Sequence, residues 1–321
     1  MDLFFVLSGY LIAGQLFNTV AKRKQISLKT FMIKRVFRII PPYLVVLALY
    51  AIFPALRERE HMAPLWKYLT FTLNLSLDLR TYGTFTHAWS LCIEEQFYLV
   101  LPLLVLLLNY LKWGKRSGYL LVALFLFGFA IRLFVWRQVL MPQLESDDFV
   151  VIWYRYIYYP VYTRLDGLLV GVSIAGLFTF YPKYKGLANR YANQLLILGL
   201  LLLTAAYFIC REQASFGTTI YGFPLIAIAY GLIVAAVVCP ACVVYSVKSW
   251  LTTQLATLSY SIYLVHKMVI HVTQAAFGDI LTKDSNLMLL LCIVTSVLGA
   301  LVLRYMVEKP ALRLRNRTLI F

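Results

Sequence analysis

Residues 87–102 read HAWSLCIEEQFYLVLP, and they lead into an apolar run over 94–111. A helix needs about 20 predominantly apolar residues to cross roughly 30 Å of hydrocarbon, so this run is long enough to span a membrane. Two adjacent carboxylates, Glu94 and Glu95, stand where the run begins, although a charged group beside hydrocarbon is costly. The stretch therefore predicts a spanning helix with a polar function at one end.

The same pattern recurs along the whole chain. Of its 321 residues, 61% are hydrophobic and 14% are charged, whereas soluble domains carry about 25% charge. Eight further apolar runs lie at 3–20, 39–56, 118–136, 161–181, 194–210, 219–239, 255–276 and 286–306. We predict an all-α fold class, a polytopic transmembrane helical bundle of nine spans, organised as one domain over 1–321.

The formal net charge of +16 suggests a nucleic-acid partner, but the distribution of the charge excludes one. Basic residues gather in alternate connecting segments, from the acid-free segment 22–38 to the tail at 309–317. The opposite segments hold most of the acids, including Glu145, Asp147 and Asp148. Because Lys and Arg are enriched in cytoplasmic loops, we expect a cytoplasmic C-terminus and the lipid bilayer as a partner.

The two longest non-spanning segments, 57–93 and 137–160, fall on the extracytoplasmic side and are rich in aromatic residues. Trp and Tyr favour the membrane interface, which accounts for most of them. A carbohydrate-stacking surface is the alternative, because aromatic faces also bind flat ligands. The sequence shows no soluble domain, so we expect the chemistry within the bundle or at its two faces.

Five cysteines indicate no disulfide framework, since most fall in or beside spans. Cys239 and Cys242 form CPAC at a helix end. A zinc or redox site there would need a second ligand pair or a thioredoxin-like setting, and the sequence offers neither. We expect small apolar side chains and no metal site.

The segment KRVFRIIPPY at 34–43 enters the second span from the cytoplasm. Arg35 and Arg38 are three apart, so they share a helix face, and their guanidinium groups suit bidentate capture of phosphate. The alternative is a charge cluster that only orients the helix.

The opening stretch places Trp89 and Ser90 just before the two glutamates. Glu94 and Tyr98 are four apart and share a face, while Glu95 points about 100° away. A carboxylate here has three possible roles: binding a hydroxyl-bearing acceptor, pairing with an arginine, or acting as a general base. Interaction of a glutamate with the helix dipole is the structural alternative.

The segment YTRLDGLLVG at 162–171 adds Arg164 and Asp166, two apart, at the outer end of the fifth span. Residues two apart do not face each other on a helix, so we expect each to pair with a different helix. Our guess for Arg164 is Glu94 or Glu95, and a buried structural ion pair is the alternative.

The eighth span contains Tyr263 and His266, three apart and therefore on one face. Inside a span, a histidine is either hydrogen-bonded for structural reasons or catalytic, and the sequence leaves both open. His87 and His271 are spare candidates.

Taken together, these segments resemble the acyltransferase-3 family of integral membrane O-acyltransferases. The matching pieces keep the family's order: FFVLSGYLI at 4–12, which adds Ser8 and Tyr10, KRVFRIIPPY at 34–43, WSLCIEEQFYLVLP at 89–102, RLDGLLVG at 164–171, LSYSIYLVH at 258–266 and VEKP at 307–310. The resemblance implies transfer of an acyl group, commonly acetyl, from acyl-CoA to a hydroxyl of an extracytoplasmic glycan or another small acceptor.

The resemblance also implies roles for residues. Arg35 and Arg38 match the family's RxxR pair, which holds coenzyme A as donor substrate rather than as a permanently bound cofactor. Glu94 and Glu95 would organise the acceptor side, and His266 lies in a family-like segment. The family's essential histidine belongs to a helix expected before Met1, so we expect an N-terminally truncated member.

Two other functions stay open at this point. A multi-span transporter or flippase would also carry intramembrane charge, although such proteins often show internal repeats and broken helices. A truncated, inactive acyltransferase is the third possibility.

Overall fold

The computed structural model describes residues 1–247 and 249–319, with Lys115 described by its backbone only. Regular structure in these residues is helical throughout. The α-helices are α1 Asp2–Ala21, α2 Leu28–Ile52, α3 Leu65–Leu69, α4 Trp89–Tyr110, α5 Ser117–Val135, α6 Phe149–Trp153, α7 Asp166–Phe180, α8 Pro182–Arg190, α9 Ala192–Ile209, α10 Phe223–Val237, α11 Trp250–Phe277, α12 Asn286–Leu303 and α13 Lys309–Thr318.

Each of the nine predicted spans overlaps one of these helices, and the all-α fold class is confirmed. By length and composition, seven helical segments of the described chain are able to cross a membrane. The other two predicted spans correspond to α7, which has 15 residues, and to the 28-residue α11. The latter carries Lys267 and His266 and several hydroxyl side chains.

Two predicted boundaries are wrong in an informative way. The second span was placed at 39–56, but α2 begins at Leu28 and ends at Ile52, because Phe53 is extended before Pro54. The third span was placed at 94–111, but α4 already begins at Trp89. The two glutamates therefore lie beyond the first turn, where the helix dipole has largely faded.

Within the described residues, four π-helical segments interrupt or flank the α-helices, at Trp136–Leu140, Tyr154–Tyr158, Thr218–Gly222 and Arg304–Glu308. A π turn is a rare, wide turn that occurs frequently at functional sites. The first three lie at or near the ends of α5, α6 and α10.

The chain forms two compact units. Unit 1 comprises Met1–Ile26, Phe71–Asp78 and Trp89–Val247, and unit 2 comprises Ser27–Thr70, Leu79–Ala88 and the described residues of Lys248–Phe321. Unit 1 therefore contains α1 and α4 to α10, and unit 2 contains α2, α3 and α11 to α13.

Close packing of α1 against α7 organises unit 1. A Cβ on Gly9 would lie 2.2 Å from the Leu168 carbonyl oxygen, and one on Gly171 would lie 2.2 Å from the Val6 oxygen. Only glycine allows the two backbones to come this close, as small residues do between membrane helices. The contact brings the first turns of α1 next to the residues that open α7.

Polar contacts between helices hold unit 2 together. The Tyr260 hydroxyl of α11 donates to the Ile39 carbonyl oxygen of α2 at 2.8 Å. The Ser261 hydroxyl donates to Glu308 at 2.9 Å, and Glu308 lies 3.7 Å from Arg304. These bonds tie α11 to α2 and to the π segment that joins α12 and α13.

Candidate functional site

A three-residue hydrogen-bond network in unit 1 connects α1 and α4, and we call it the Glu94 network. The Ser8 hydroxyl donates to Glu94 Oε1 at 3.0 Å. The Tyr98 hydroxyl lies 3.0 Å from both Glu94 Oε2 and the Ser8 oxygen. The predicted shared face of Glu94 and Tyr98 is confirmed, and Ser8 joins them from the other helix.

The geometry of the Glu94 network suits recognition of a hydroxyl group. Tyr98 is buried, whereas Ser8 and Glu94 are half-buried. A phenol has one proton, so Tyr98 donates to the carboxylate or to Ser8, but not to both at once. A carboxylate contacted by hydroxyl donors is a place where a substrate hydroxyl can donate in their stead.

The other predicted residues of this region lie on the same two helices. Glu95 is half-buried on α4, and Ser90 is buried in its first turn. Tyr10 is half-buried on α1, two residues after Ser8. Their roles stay predictions.

The predicted pairing of Arg164 with Glu94 or Glu95 is wrong. Arg164 Nη2 instead contacts Asp2 Oδ1 of α1 at 2.7 Å. The reason is the close α1–α7 packing, which brings the first turn of α1 to the residues before α7. Asp166 pairs elsewhere, so the expectation that the two residues engage different helices is confirmed.

Asp166 forms a buried bidentate pair with Arg132 of α5. Arg132 Nη1 lies 2.6 Å from Oδ2 and Nη2 lies 3.2 Å from Oδ1. Arg132 Nη1 also donates to the Thr163 carbonyl oxygen at 2.9 Å, and the Arg132 side chain is 0% exposed. This pair fastens α5 to the start of α7.

Aromatic rings surround the Arg164 guanidinium. Its Cζ atom lies 4.0 Å from the ring centroid of Phe223, 5.0 Å from that of Tyr158 and 6.0 Å from that of Trp89. Cation–π contacts of this kind strengthen when they are desolvated. Trp89, a predicted site residue, is buried and forms one of these cation–π contacts with Arg164.

Two tyrosines of this aromatic cluster lie in the segment before α7. Burial raises the pKa of Tyr158 and of Tyr159 above the ordinary value of 10.0. Both phenols therefore stay neutral and keep their protons at neutral pH, so they are hydrogen-bond donors and not bases.

In unit 2, the eighth predicted span brings His266 next to the spare candidate His87. Their ring centroids are 4.9 Å apart, and His266 Nδ1 lies 2.8 Å from the Tyr263 carbonyl oxygen. The Tyr263 hydroxyl donates to the His87 carbonyl oxygen, and Lys267 Nζ donates to Thr86 Oγ1 at 3.3 Å. The predicted shared face of Tyr263 and His266 is confirmed.

The predicted donor-binding arginines lie in the first half of α2. Arg35 is half-buried, with its Cζ atom 5.7 Å from the ring centroid of Phe31, and Arg38 is exposed. Both belong to one continuous helix, so they share a face as expected. Binding of a phosphate by this pair stays a prediction.

The two CPAC cysteines are buried in unit 1. Cys239 and Cys242 pack with Ala188, Ala192 and Ala236, and both are free cysteines. Both pack as small side chains, and the Cys239 thiol also donates to the Ala235 carbonyl oxygen at 3.2 Å.

Sequence reasoning missed Arg132, Asp2 and Glu308. An arginine within the apolar run 118–136 was itself a signal, because a charge inside a span is costly and almost always paired. Asp2 and Glu308 lie near the ends of helices, where a carboxylate is less costly than inside a span and therefore does not by itself predict a buried partner. Only the fold shows which partner each one meets.

Comparison with known proteins adds the family. The acyltransferase-3 family model, described as an acyltransferase domain, matches residues 1–305. The chain is 28% identical over 294 residues to the peptidoglycan O-acetyltransferase OatA of Listeria monocytogenes, covering 85% of this chain and 45% of that protein. No solved structure matches the chain.

Two further relatives differ in how much of their length is covered. A putative O-acetyltransferase of Staphylococcus aureus is 27% identical over 302 residues, covering 87% of this chain and 47% of that protein. An uncharacterized protein of Haemophilus influenzae is 32% identical over 236 residues, covering 67% of this chain and 89% of that protein. The chain thus spans about half the length of the first relatives.

The family model matches residues 1–305, and the chain folds as a bundle of apolar helices. The chain therefore belongs to the acyltransferase-3 family of integral membrane acyltransferases.

Proposed function

We propose that this chain is a membrane-embedded O-acetyltransferase that moves an acetyl group from cytoplasmic acyl-CoA to a hydroxyl of an extracytoplasmic glycan. The observation that carries the proposal is the Glu94 network, a carboxylate contacted by two hydroxyl donors at 3.0 Å. Names of relatives such as peptidoglycan O-acetyltransferase support a glycan acceptor.

Glu94 acts on the acceptor hydroxyl. The incoming hydroxyl takes the place of Ser8 or Tyr98 as a donor to the carboxylate, and its proton moves to Glu94 as the oxygen attacks the thioester carbonyl. The new C–O bond forms, the C–S bond breaks, and the proton returns to the leaving thiolate of coenzyme A. General-base assistance of this kind contributes about 10²- to 10⁴-fold.

Glu95 and His266 are the other proposed catalytic groups. The contact of His266 Nδ1 with the Tyr263 carbonyl oxygen favours the tautomer that carries its proton on Nδ1, because a carbonyl only accepts. The lone pair is then on Nε2, which supplies a neutral base in unit 2. Glu95, half-buried on α4, helps to position the acceptor.

Arg35 and Arg38 bind the phosphates of coenzyme A on the cytoplasmic side. A guanidinium pair three residues apart on one helix presents two forks to the same anion. The proposal places the protein in a bacterial plasma membrane with its C-terminus in the cytoplasm. The alternation of basic and acidic connecting segments supports this orientation through the positive-inside rule.

Labelled acetyl-CoA supplied to the cytoplasmic face of oriented membrane vesicles tests the proposal. Label should appear on outer-face glycan with the wild-type chain, and the yield should fall strongly in Glu94→Gln and in the double variant Arg35→Ala, Arg38→Ala. Matched controls are Glu60→Gln, an exposed glutamate, and Lys22→Ala with Arg23→Ala, two exposed basic residues.

The outcomes separate the parts of the proposal. Normal labelling by the Arg35 and Arg38 double variant would disprove the donor site, and normal labelling by Glu94→Gln would disprove the acceptor role. Movement of glycan across the membrane with no labelling would favour the transporter or flippase.

A further inference from the structure

Unit 1 contains a cavity that is largely open at the surface and whose lining includes no member of the Glu94 network. Its volume is about 400 Å³, and its walls include the aromatic residues Trp136, Phe149 and Phe216 together with Glu212 and Ser215. Sites for small molecules occupy about 300–1,000 Å³, so the cavity is large enough for a compact ligand such as one sugar unit.

The aromatic wall is built from rings in mutual contact and is partly open. Trp136 contacts Phe216 edge-to-face with ring centroids 5.4 Å apart, and it contacts Phe149 in the same manner at 6.2 Å. Trp136 is buried, whereas Phe216 is 40% exposed. A fixed ring that leaves part of its surface open offers a platform for a flat ligand, since aromatic side chains combine a large apolar area with a defined geometry.

Hydrogen bonds fix the polar part of the lining. The Thr218 hydroxyl donates to the Glu212 carbonyl oxygen at 2.8 Å, and the Thr218 backbone N–H donates to the Ser215 hydroxyl oxygen at 3.2 Å. The Glu212 side chain itself is exposed. A carboxyl group supplies hydrogen-bond acceptors, so Glu212 suits a ligand that donates, such as one with hydroxyl groups.

Two of the π-helical segments border this cavity. Trp136 is the first residue of Trp136–Leu140, and Phe216 comes shortly before Thr218–Gly222. Wide turns of this kind are rare and cluster at functional sites. One segment thus contributes Trp136 to the lining and the other begins two residues after Phe216, and these rare turns are a second feature that points to a ligand.

Contacts within unit 1 connect the cavity to the Glu94 network. Trp136 follows the end of α5, where Arg132 pairs with Asp166 at the start of α7. Arg164, two residues before Asp166, lies against Trp89. Trp89 is the first residue of α4, the helix that carries Glu94. The cavity and the Glu94 network therefore lie toward the same end of unit 1, the end that the charge pattern places outside.

We propose that this cavity is an acceptor subsite, which binds a pyranose unit of the glycan beyond the unit that receives the acetyl group. A pyranose ring has an apolar C–H face for the aromatic wall and hydroxyl groups for Glu212. This inference rests on the proposed function, in which the glycan is the acetyl acceptor. Binding of the glycan to the cavity can nevertheless be measured without acetyl transfer.

The experiment uses the full chain in nanodiscs of zwitterionic lipid. Isothermal titration calorimetry without acetyl-CoA measures the Kd of N-acetylglucosamine and of its β-1,4-linked tetramer. Phe216→Ala and Glu212→Gln should each raise the Kd of the tetramer about fivefold to tenfold, the loss expected for one aromatic or hydrogen-bond contact. Phe208→Ala and Glu60→Gln are controls at exposed positions outside the cavity.

Acetylation kinetics on the same samples give the second measurement. Both cavity variants should raise the KM for the tetramer by a similar factor, leave kcat unchanged, and leave the KM for the monosaccharide unchanged. Unchanged tetramer binding in Phe216→Ala and Glu212→Gln would overturn the subsite, as would equal weakening by the control variants or no tetramer binding by the wild type. Binding that depends on Phe216, without any acetyl transfer, would support the subsite and contradict the proposed function.

Discussion

Asp166 and Glu94 are both carboxylates in unit 1, but their neighbours differ in kind. Both Asp166 oxygens contact the Arg132 guanidinium, at 2.6 and 3.2 Å, and the pair is buried. The Glu94 oxygens accept hydrogen bonds from the neutral hydroxyls of Ser8 and Tyr98, each at 3.0 Å, and Glu94 is half-buried. The first contact joins two charges, and the second joins one charge to groups that resemble a substrate hydroxyl.

The difference in neighbours separates a structural role for Asp166 from the catalytic role proposed for Glu94. Removing one partner of a buried ion pair costs about 3–5 kcal/mol, because the other charge stays buried. A single hydrogen bond contributes about 0.5–3 kcal/mol, the upper values applying where one partner is charged, so a substrate hydroxyl can replace Ser8 or Tyr98 at a modest cost. We infer that Asp166 maintains the fold and that Glu94 contributes to catalysis.

The largest expected effect belongs to the structural pair. Arg132→Met should lower the free energy of unfolding by about 3–5 kcal/mol, because it leaves the Asp166 carboxylate buried without its cation. Thermal or denaturant unfolding in detergent measures the loss. Arg137→Met, at an exposed position five residues later, should change stability little, and equal losses in the two variants would contradict the structural role of Arg132.

The second prediction concerns Glu94 itself. Glu94→Gln keeps the shape of the side chain but removes the base, so the rate of acetyl transfer should fall about 100-fold or more. Its unfolding free energy should fall by less than about 3 kcal/mol, because the hydrogen bonds to Ser8 and Tyr98 lose only the contribution of the charge, and this loss is smaller than that for Arg132→Met. A variant that loses stability as Arg132→Met does would show that Glu94 is a structural residue instead.

A smaller loss should follow removal of the phenol hydroxyl. Tyr98→Phe deletes a donor to Glu94 Oε2 and should reduce the transfer rate about tenfold, the equivalent of about 1.4 kcal/mol. Tyr110→Phe, at the exposed far end of α4, is the matched control and should behave like the wild type. A wild-type rate for Tyr98→Phe would remove Tyr98 from the Glu94 network as a functional residue.

The smallest effect is expected for Ser8. Ser8→Ala removes the donor to Glu94 Oε1, which a substrate hydroxyl or water can replace, so the rate should fall only about threefold. A double-mutant cycle is the decisive measurement, because residues in one network are not additive. Ser8→Ala should have no further effect in the Glu94→Gln background, and full additivity would show that Ser8 acts separately.

The sequence predicted much of the architecture for identifiable reasons. Apolar runs of the right length identified a helix at every predicted span, because backbone groups in hydrocarbon must be satisfied within the segment. The four-residue spacing of Glu94 and Tyr98 predicted their contact, since local helix geometry fixes which residues share a face. The same reasoning placed Tyr263 beside His266.

Pairings between distant segments were less accessible. The guess that joined Arg164 to Glu94 or Glu95 relied on a shared membrane face, which limits the candidates without choosing one. The structure pairs Arg164 with Asp2 and gives Asp166 to Arg132. Ser8 was known only as part of a family-like segment, and its hydrogen bond to Glu94 spans 86 residues of sequence.

By itself, the sequence determined the fold class, the helical segments and the family resemblance, because hydropathy, spacing and motif order are local properties of the chain. Only the tertiary structure decided which buried charges neutralise one another, and the close approach of α1 and α7 at Gly9 and Gly171 is what brings Asp2 to Arg164. That approach depends on how two helix surfaces fit together. A shift of a few ångströms between the two helices would change which side chains meet. Hydropathy and residue spacing describe each helix separately, so they do not predict that shift.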